Sequence, residues 1–345
     1  MNENMIIRAR APLRLGLAGG GTDVSPYCDM FGGYVLNATI DRYAYAVLKK
    51  LEKPVVRFTA SDENVSSEYP LDSSFTIDSA LSLHKSVYLK IMERFCSGKR
   101  IPLELTTFCD APPGSGLGSS STLVVAMVRA FAEMFKIPLD DYRIADLAYE
   151  IERVDCGLQG GRQDQYSAAF GGFNFMEFYG NEKAVINTLR IKNWIICELE
   201  ASLLLYYTGV SRESAKIISD QSSLVRDGSI STIEAFHVLK NEAIIMKECL
   251  MKGDFNGLIS SMRQGWESKK RTANTISNKS IDDIYQAAIN AGASAGKVSG
   301  AGGGGFMMFF VAPDRRMELI RALSHFGGSV SNVHFTKHGT QAWSI

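Results

Sequence analysis

The stretch Pro112-Pro113-Gly114-Ser115-Gly116-Leu117-Gly118-Ser119-Ser120-Ser121-Thr122 leads without a break into an apolar segment at helical spacing. A glycine-rich turn at a helix N-terminus presents unpaired backbone N–H groups at the positive end of the helix dipole, which suits a phosphate. The hydroxyls that follow can add donors or a metal ligand. No GxxxxGK followed by Ser or Thr occurs, so the turn is not a Walker A loop; the nearest approach, Gly292 to Val298 with Gly296-Lys297, lacks one spacer residue and the hydroxyl. Simple helix capping by Ser119 to Thr122 would not call for three glycines. A second run, Gly300 to Gly305, satisfies GxGxxG, but Phe306 to Val311 reads as a strand where a dinucleotide fingerprint needs a helix. That loop is expected to support the first one.

Two further segments carry charge beside glycine. Arg10-Ala11-Pro12-Leu13-Arg14-Leu15-Gly16-Leu17-Ala18-Gly19-Gly20-Gly21-Thr22-Asp23 sets a cation and a carboxylate around flexible backbone, a setting for a polyhydroxylated ligand whose hydroxyls donate to Asp23. Glu152-Arg153 and Gly160-Gly161-Arg162-Gln163-Asp164-Gln165 place two carboxylates near another glycine cluster. Taken alone, Glu152 reads as a solvated helical charge and Asp164 as a helix cap. His334 and His338 fall in a strand and turn, where that spacing does not put both on one face for a metal.

The elements that must position these groups are mixed. In 345 residues, 37 Lys and Arg balance 37 Asp and Glu, which excludes a broad electrostatic attraction to nucleic acid or an anionic membrane. The apolar run around Phe306 to Ala312 is far shorter than a membrane-spanning helix. The N-terminus lacks a basic region leading into an apolar one, so a cytoplasmic protein is expected. Six cysteines without a CxxC pair give neither a zinc cluster nor a disulfide framework. Most of the 31 glycines gather in four windows (16–21, 114–118, 157–172 and 292–305), so four loops could converge on one ligand.

Strands are expected at 5–9, 34–50 and 173–178, with one or two more in 194–207. Helices are expected at 119–136, where Leu123, Met127, Phe131 and Met134 follow helical spacing, and from 141 to about 153. From 212 to about 291 the pattern is mostly helical, and strand, helix and strand follow at 306–311, 313–325 and 330–336. The chain reads as α+β in two units, with a boundary near 190–200.

The order of these segments resembles the GHMP kinase superfamily, with motif one at 10–23, motif two at 112–122 and motif three at 297–305. Within it, Arg10 to Tyr27, Tyr207-Thr208-Gly209-Val210-Ser211-Arg212 and Gly265-Trp266-Glu267 with Lys269-Lys270 look most like the D-glycero-D-manno-heptose 7-phosphate kinases. The resemblance implies a two-domain fold, an N-terminal α/β domain (1–195) and a C-terminal ferredoxin-like α+β domain (196–345), with the active site between them. It implies ATP and Mg²⁺: Pro113, Gly114, Ser115, Gly116, Leu117, Gly118, Ser119 and Ser120 would hold the ATP phosphates, and Ser120 and Glu152 the Mg²⁺. Asp164 would be the catalytic aspartate beside the acceptor hydroxyl and Arg14 the cation beside it, with Gly20, Gly21, Thr22, Asp23 and Gly172 completing the sugar site. Galactokinases carry Glu-His where this chain has Gly20-Gly21, which argues against galactose and leaves room in the pocket.

The activity implied is transfer of the γ-phosphoryl group to the anomeric hydroxyl of the heptose 7-phosphate, feeding nucleotide-activated heptose for bacterial surface polysaccharides. Such a substrate needs a second anion site, for which Arg162, Arg212, Lys269, Lys270, Arg271 and Lys297 are available. A kinase for an unphosphorylated sugar, fucokinase-like, is the rival among enzymes, and a non-catalytic sugar or nucleotide sensor the rival outside them. No nucleic-acid or membrane partner is expected, and the oligomeric state stays open, a homodimer included.

Overall fold

The structure, a computed structural model, describes residues 5–74, 76–77, 80–181, 183–210 and 214–345. Two sheets organise it. The larger holds β1 (Ile6–Ala18), β2 (Gly33–Lys50), β3 (Val55–Ala60), β4 (Val65–Pro70), β5 (Leu103–Cys109), β6 (Phe173–Phe178) and β7 (Ala184–Leu189). The smaller is antiparallel: β8 (Leu203–Tyr207), β9 (Ala293–Val298), β10 (Phe306–Val311) and β11 (Ser329–Asn332), in the order β11-β8-β10-β9. The last strand, β12 (Gln341–Ser344), returns to the larger sheet and pairs with β1, so the chain ends beside where it began.

Eleven helices complete the described fold: α1 (Tyr27–Phe31), α2 (Ser82–Phe95), α3 (Ser119–Phe135), α4 (Asp141–Tyr149), α5 (Gln163–Phe170), α6 (Asn193–Ser202), α7 (Ser214–Arg226), α8 (Ile230–Lys252), α9 (Phe255–Lys270), α10 (Lys279–Asn290) and α11 (Arg316–Ser324). In α3, which packs against β1 and β2, the positions anticipated from sequence are buried at Met127, Phe131 and Met134 and partly buried at Leu123, with Val124 and Val128 beside them in the core. Strand β10, Phe306-Met307-Met308-Phe309-Phe310-Val311, is buried on both faces. Its alternation divides it: Phe306, Met308 and Phe310 join the core shared with β1 and α8, whereas Met307, Phe309 and Val311 join the core under α10 and α11. Apolar packing on both sides of the smaller sheet thus fixes motif three, on the β9–β10 turn, against the larger one.

Three expectations need correction. The segment 194–207 is helix before it is strand, because Ile195 and Leu199, four residues apart, supply a buried helical face before β8 begins. Strand β1 runs to Ala18, so most of motif one is paired backbone, and only the turn after it is free to act as a loop. The expected helix from 141 to 153 is α-helical only to Tyr149; Glu150–Asp155 forms a π-helical turn.

Candidate functional site

Helix α3 starts at Ser119, and its N-cap residue Gly118 (φ 78°) makes no side-chain cap. The first-turn N–H groups are therefore left for a ligand. Gly114 and Gly116 also hold positive φ (70° and 82°), the left-handed region that favours glycine. Motif three braces this turn by direct backbone contact, as the sequence led us to expect. Phe306 N donates to Ser115 O (2.8 Å), and Ser299 Oγ donates to Gly116 O (2.9 Å). A Cβ on Gly116 would meet Ser299 O at 2.4 Å, and one on Gly305 would meet Ser115 O at the same distance. Ser115 and Leu117 are buried inside the turn and shape it.

Asp164 stands in the first turn of α5, beside this loop. Arg14 Nε (2.7 Å) and a terminal guanidinium nitrogen (2.6 Å) both reach Asp164 Oδ1. Arg14 also donates to Gly116 O at 2.6 Å, so β1, the glycine loop before α3 and α5 are tied at one guanidinium. Oδ2 accepts no hydrogen bond among the described residues. A Cβ on Gly118 would lie 3.0 Å from Asp164 Cγ; the glycine makes room for the aspartate as well as for a phosphate.

Ser120 Oγ donates to Glu152 Oε1 at 2.8 Å, and Gln165 Nε2 donates to Glu152 Oε2 at 2.6 Å. The Glu152 side chain is 1% exposed, so the solvated-charge reading fails. The π-helical turn carries Glu152 inward, and Lys90 bridges its ends by pairing with Glu150 (3.0 Å) and Asp155 (2.9 Å). Two hard oxygen donors side by side fit Mg²⁺, which takes few protein ligands and keeps water and phosphate oxygens for the rest. Arg153, 3.3 Å from Glu152 Oε1, balances this carboxylate.

In motif one, Asp23 accepts from Gly21 N (3.1 Å), Gln163 N (3.1 Å) and Gln163 Nε2 (3.0 Å), so its oxygens chiefly brace the loop against α5. Thr22 is fully buried; its N–H donates to Gly19 O and its hydroxyl to Tyr34 O. Gly172 (φ 77°) is held by Thr39 Oγ1 outside the cleft. A cleft of about 1470 Å³, partly open to solvent, gathers Arg14, Gly21, Asp23, Glu152, Asp164 and the loop residues Gly114, Gly116, Gly118, Ser119 and Ser120. Gly20 lines a small cavity behind it. Pro113 faces a third cavity, across Ser119 and Ser120, walled by Leu81, Leu83, His84, Ala111 and Leu123. Sequence reasoning missed this last chamber, whose walls come from separate segments without a motif.

The cations separate cleanly. Arg162 is buried with its guanidinium over the Tyr149 ring. Lys270 pairs with Glu267 at 2.8 Å and lies over Trp266. Arg271 is exposed, and Arg212 lies outside the described residues. Lys269 and Lys297 differ: Lys269 Nζ donates to Gly20 O (2.9 Å), and Lys297 Nζ to Gly16 O (2.9 Å) and Leu17 O (3.2 Å). Burial pushes Lys269 down to about 8 against the pull of nearby Asp23, and burial with Lys269 and Arg14 close by pushes Lys297 down to about 7.

Between pH 7 and 8.5 the folded chain has released protons that unfolded lysines still bind, so stability rises with pH, by up to about 1.4 kcal/mol per pH unit for each proton released. Melting of the ligand-free protein is expected to follow, with a shallower rise in Lys297→Met. Equal slopes in the two proteins would show that Lys297 is ordinarily charged.

A kinase is the class that these parts define, and comparison with known proteins agrees. The family models described as GHMP kinases N terminal domain and GHMP kinases C terminal match residues 82–172 and 246–328. The chain belongs to the GHMP kinase family, has its two-domain mixed α and β fold, and is an ATP-dependent kinase. It is 48% identical over 339 residues, 98% of this chain and 99% of the other, to the D-glycero-alpha-D-manno-heptose 7-phosphate kinase of Campylobacter jejuni. A crystal structure of a D-glycero-D-manno-heptose 1-phosphate kinase from Bacteroides thetaiotaomicron superposes with a TM-score of 0.83 at 43% identity, covering 98% of this chain and 99% of that one. The L-fucokinase/L-fucose-1-P guanylyltransferase of Bacteroides fragilis is 25% identical over 90% of this chain and 35% of its own length. No described helix is long and apolar enough to cross a membrane.

Proposed function

We propose that this kinase transfers the γ-phosphoryl group of ATP to the anomeric hydroxyl of D-glycero-D-manno-heptose 7-phosphate, giving the 1,7-bisphosphate, in the cytoplasm. The geometry supports the transfer; the observation that carries the acceptor is the 48% identity along nearly the full chain to a heptose 7-phosphate kinase. Residues 1–195 would supply the phosphate loop, motif one and Asp164, and residues 196–345 the wall of the cleft made by α7, α9 and motif three, apart from the returning β12.

Gly114 to Ser120 would hold the ATP phosphates, with the free N–H groups at the start of α3 as donors. Adenine would take the third cavity, where Leu81, Leu83 and Leu123 share the lining with Pro113, Ser119 and Ser120. Ser120 and Glu152 would hold Mg²⁺, which supplies charge neutralisation on the phosphate oxygens when bound. Gln165 orients the carboxylate for that purpose. Asp164 Oδ2, the oxygen that Arg14 leaves free, takes the proton as the anomeric oxygen bonds to phosphorus and the bond from the γ-phosphorus to the bridging oxygen of ADP breaks. Arg14 keeps Oδ1 fixed and lies close enough to stabilise charge on the moving group.

The test is ADP release with MgATP and a panel of heptose 7-phosphate, heptose 1-phosphate, free heptose and fucose. Turnover confined to heptose 7-phosphate is expected. Preference for a free sugar or for heptose 1-phosphate would replace the acceptor and keep the kinase.

A further inference from the structure

The acceptor proposed above already carries a phosphate, so the cleft needs a cation that the nucleotide does not use. We propose that Lys269, on the last turn of α9, binds that phosphate, at the end of the cleft where motif one replaces the phosphate loop. Four observations place it there. Lys269 is 8% exposed, yet it lines both the main cleft and the small cavity behind motif one. Its ammonium occupies the space that Gly21 leaves vacant: a Cβ at Gly21 would stand 2.9 Å from Nζ. Of its three donors one is used, on Gly20 O, and among the described residues no carboxylate pairs with it. Arg14, the other cation acting on it, is already paired with Asp164, so a phosphate monoester arriving beside Lys269 would meet an ammonium with no ion-pair partner among the described residues and would favour its charged form.

The glycine and the lysine thus work as a pair. A side chain at Gly21 would crowd the ammonium and force it to shift, and the φ of 99° at that position favours glycine as well. The other cations do not meet this need: Arg162 and Lys270 do not line the cleft, Lys270 is paired with Glu267, and of the two arginines that do line it Arg14 is paired with Asp164 and Arg153 with Glu152. The phosphate recognised could be the acceptor's own or the transferred γ-phosphoryl group. Lys269 contacts Gly20 and Gly21 and makes no hydrogen bond to residues 114–120 among the described residues, which favours the acceptor's own.

The inference rests on the proposed substrate, and the experiment separates the two. In wild type, kcat/KM for heptose 7-phosphate is compared with that for free heptose; a ratio near one defeats the substrate reading. In Lys269→Met the same ratio is expected to fall about 10- to 100-fold, the worth of one charge-assisted hydrogen bond of about 1.5–3 kcal/mol. An equal fall for both acceptors points to the γ-phosphoryl group or to a merely structural role and overturns the assignment, as does no fall. Lys269→Arg, which keeps the charge, is expected to recover part of the ratio and guards against misfolding as the cause. Should wild type ignore heptose 7-phosphate, calorimetry with inorganic phosphate in the presence of MgADP still decides. Binding by wild type and its loss in Lys269→Met support an anion site at Lys269; equal binding, or none to either, overturns it.

Discussion

Replacing Asp164 by Asn is expected to lower kcat by about 10²- to 10⁴-fold while leaving ATP affinity within about twofold, the signature of a lost proton acceptor. Arg14 holds Oδ1 through two nitrogens, and Oδ2 is the oxygen without a partner among the described residues. An amide keeps the shape of the side chain, but its nitrogen cannot take the hydroxyl proton. The substitution also removes one half of an ion pair whose arginine is 5% exposed and whose aspartate is 19% exposed. A fully buried pair broken this way costs about 3–5 kcal/mol; the partly solvated aspartate makes the cost here smaller. Thermal melting and ATP titration accompany the kinetics for that reason. Wild-type-like turnover in Asp164→Asn would remove the residue from the chemistry. Loss of ATP binding together with turnover would show that the Arg14 link to Gly116 O, and not proton acceptance, is what the aspartate secures.

How much of this was legible beforehand differs by residue. The glycine turn at 114–118 and α3 could be read directly, because a positive-φ glycine turn and a buried helical stripe are local features that leave a local pattern. The second glycine run is legible as a support, since Phe306 to Val311 alternates into two cores as a strand must. Glu152 could not be placed by pattern alone. Its inward turn depends on a π-helical register and on Lys90, 60 residues earlier in the chain, clamping Glu150. Asp23 was read as a ligand for hydroxyls, but Gln163, 140 residues away, takes two of its hydrogen bonds. Lys269 was one cation among six in sequence. Only the fold distinguishes it, by placing Nζ against Gly21 and burying it. The expectation of one or two strands in 194–207 holds for β8, whereas the helix before it leaves no clear signal because a short apolar run fits either period.

Gly118→Ala is expected to cost about 10²-fold in kcat with a smaller change in KM for ATP, although the residue belongs to the loop assigned to the nucleotide. Two penalties act together. The φ of 78° is a left-handed value that costs alanine about 1–2 kcal/mol. The new methyl would also press on Asp164, at 3.0 Å from Cγ and 3.2 Å from Oδ2. The aspartate cannot swing aside freely, because Arg14 grips Oδ1 and is itself fixed to Gly116 O. Its free oxygen must therefore shift by a few tenths of an ångström at the atom proposed to take the proton. If Gly118 served only to let a phosphate approach, the substitution would raise KM for ATP and leave kcat nearly intact. A double-mutant cycle separates these roles. With Asp164→Asn already in place, the catalytic oxygen is gone and Gly118→Ala should add little further loss in kcat, whereas independent roles would multiply. Multiplying losses would mean that the loop and the aspartate act separately; a cycle that saturates would make the fit of Gly118 against Asp164 part of how this kinase aligns its acceptor with ATP.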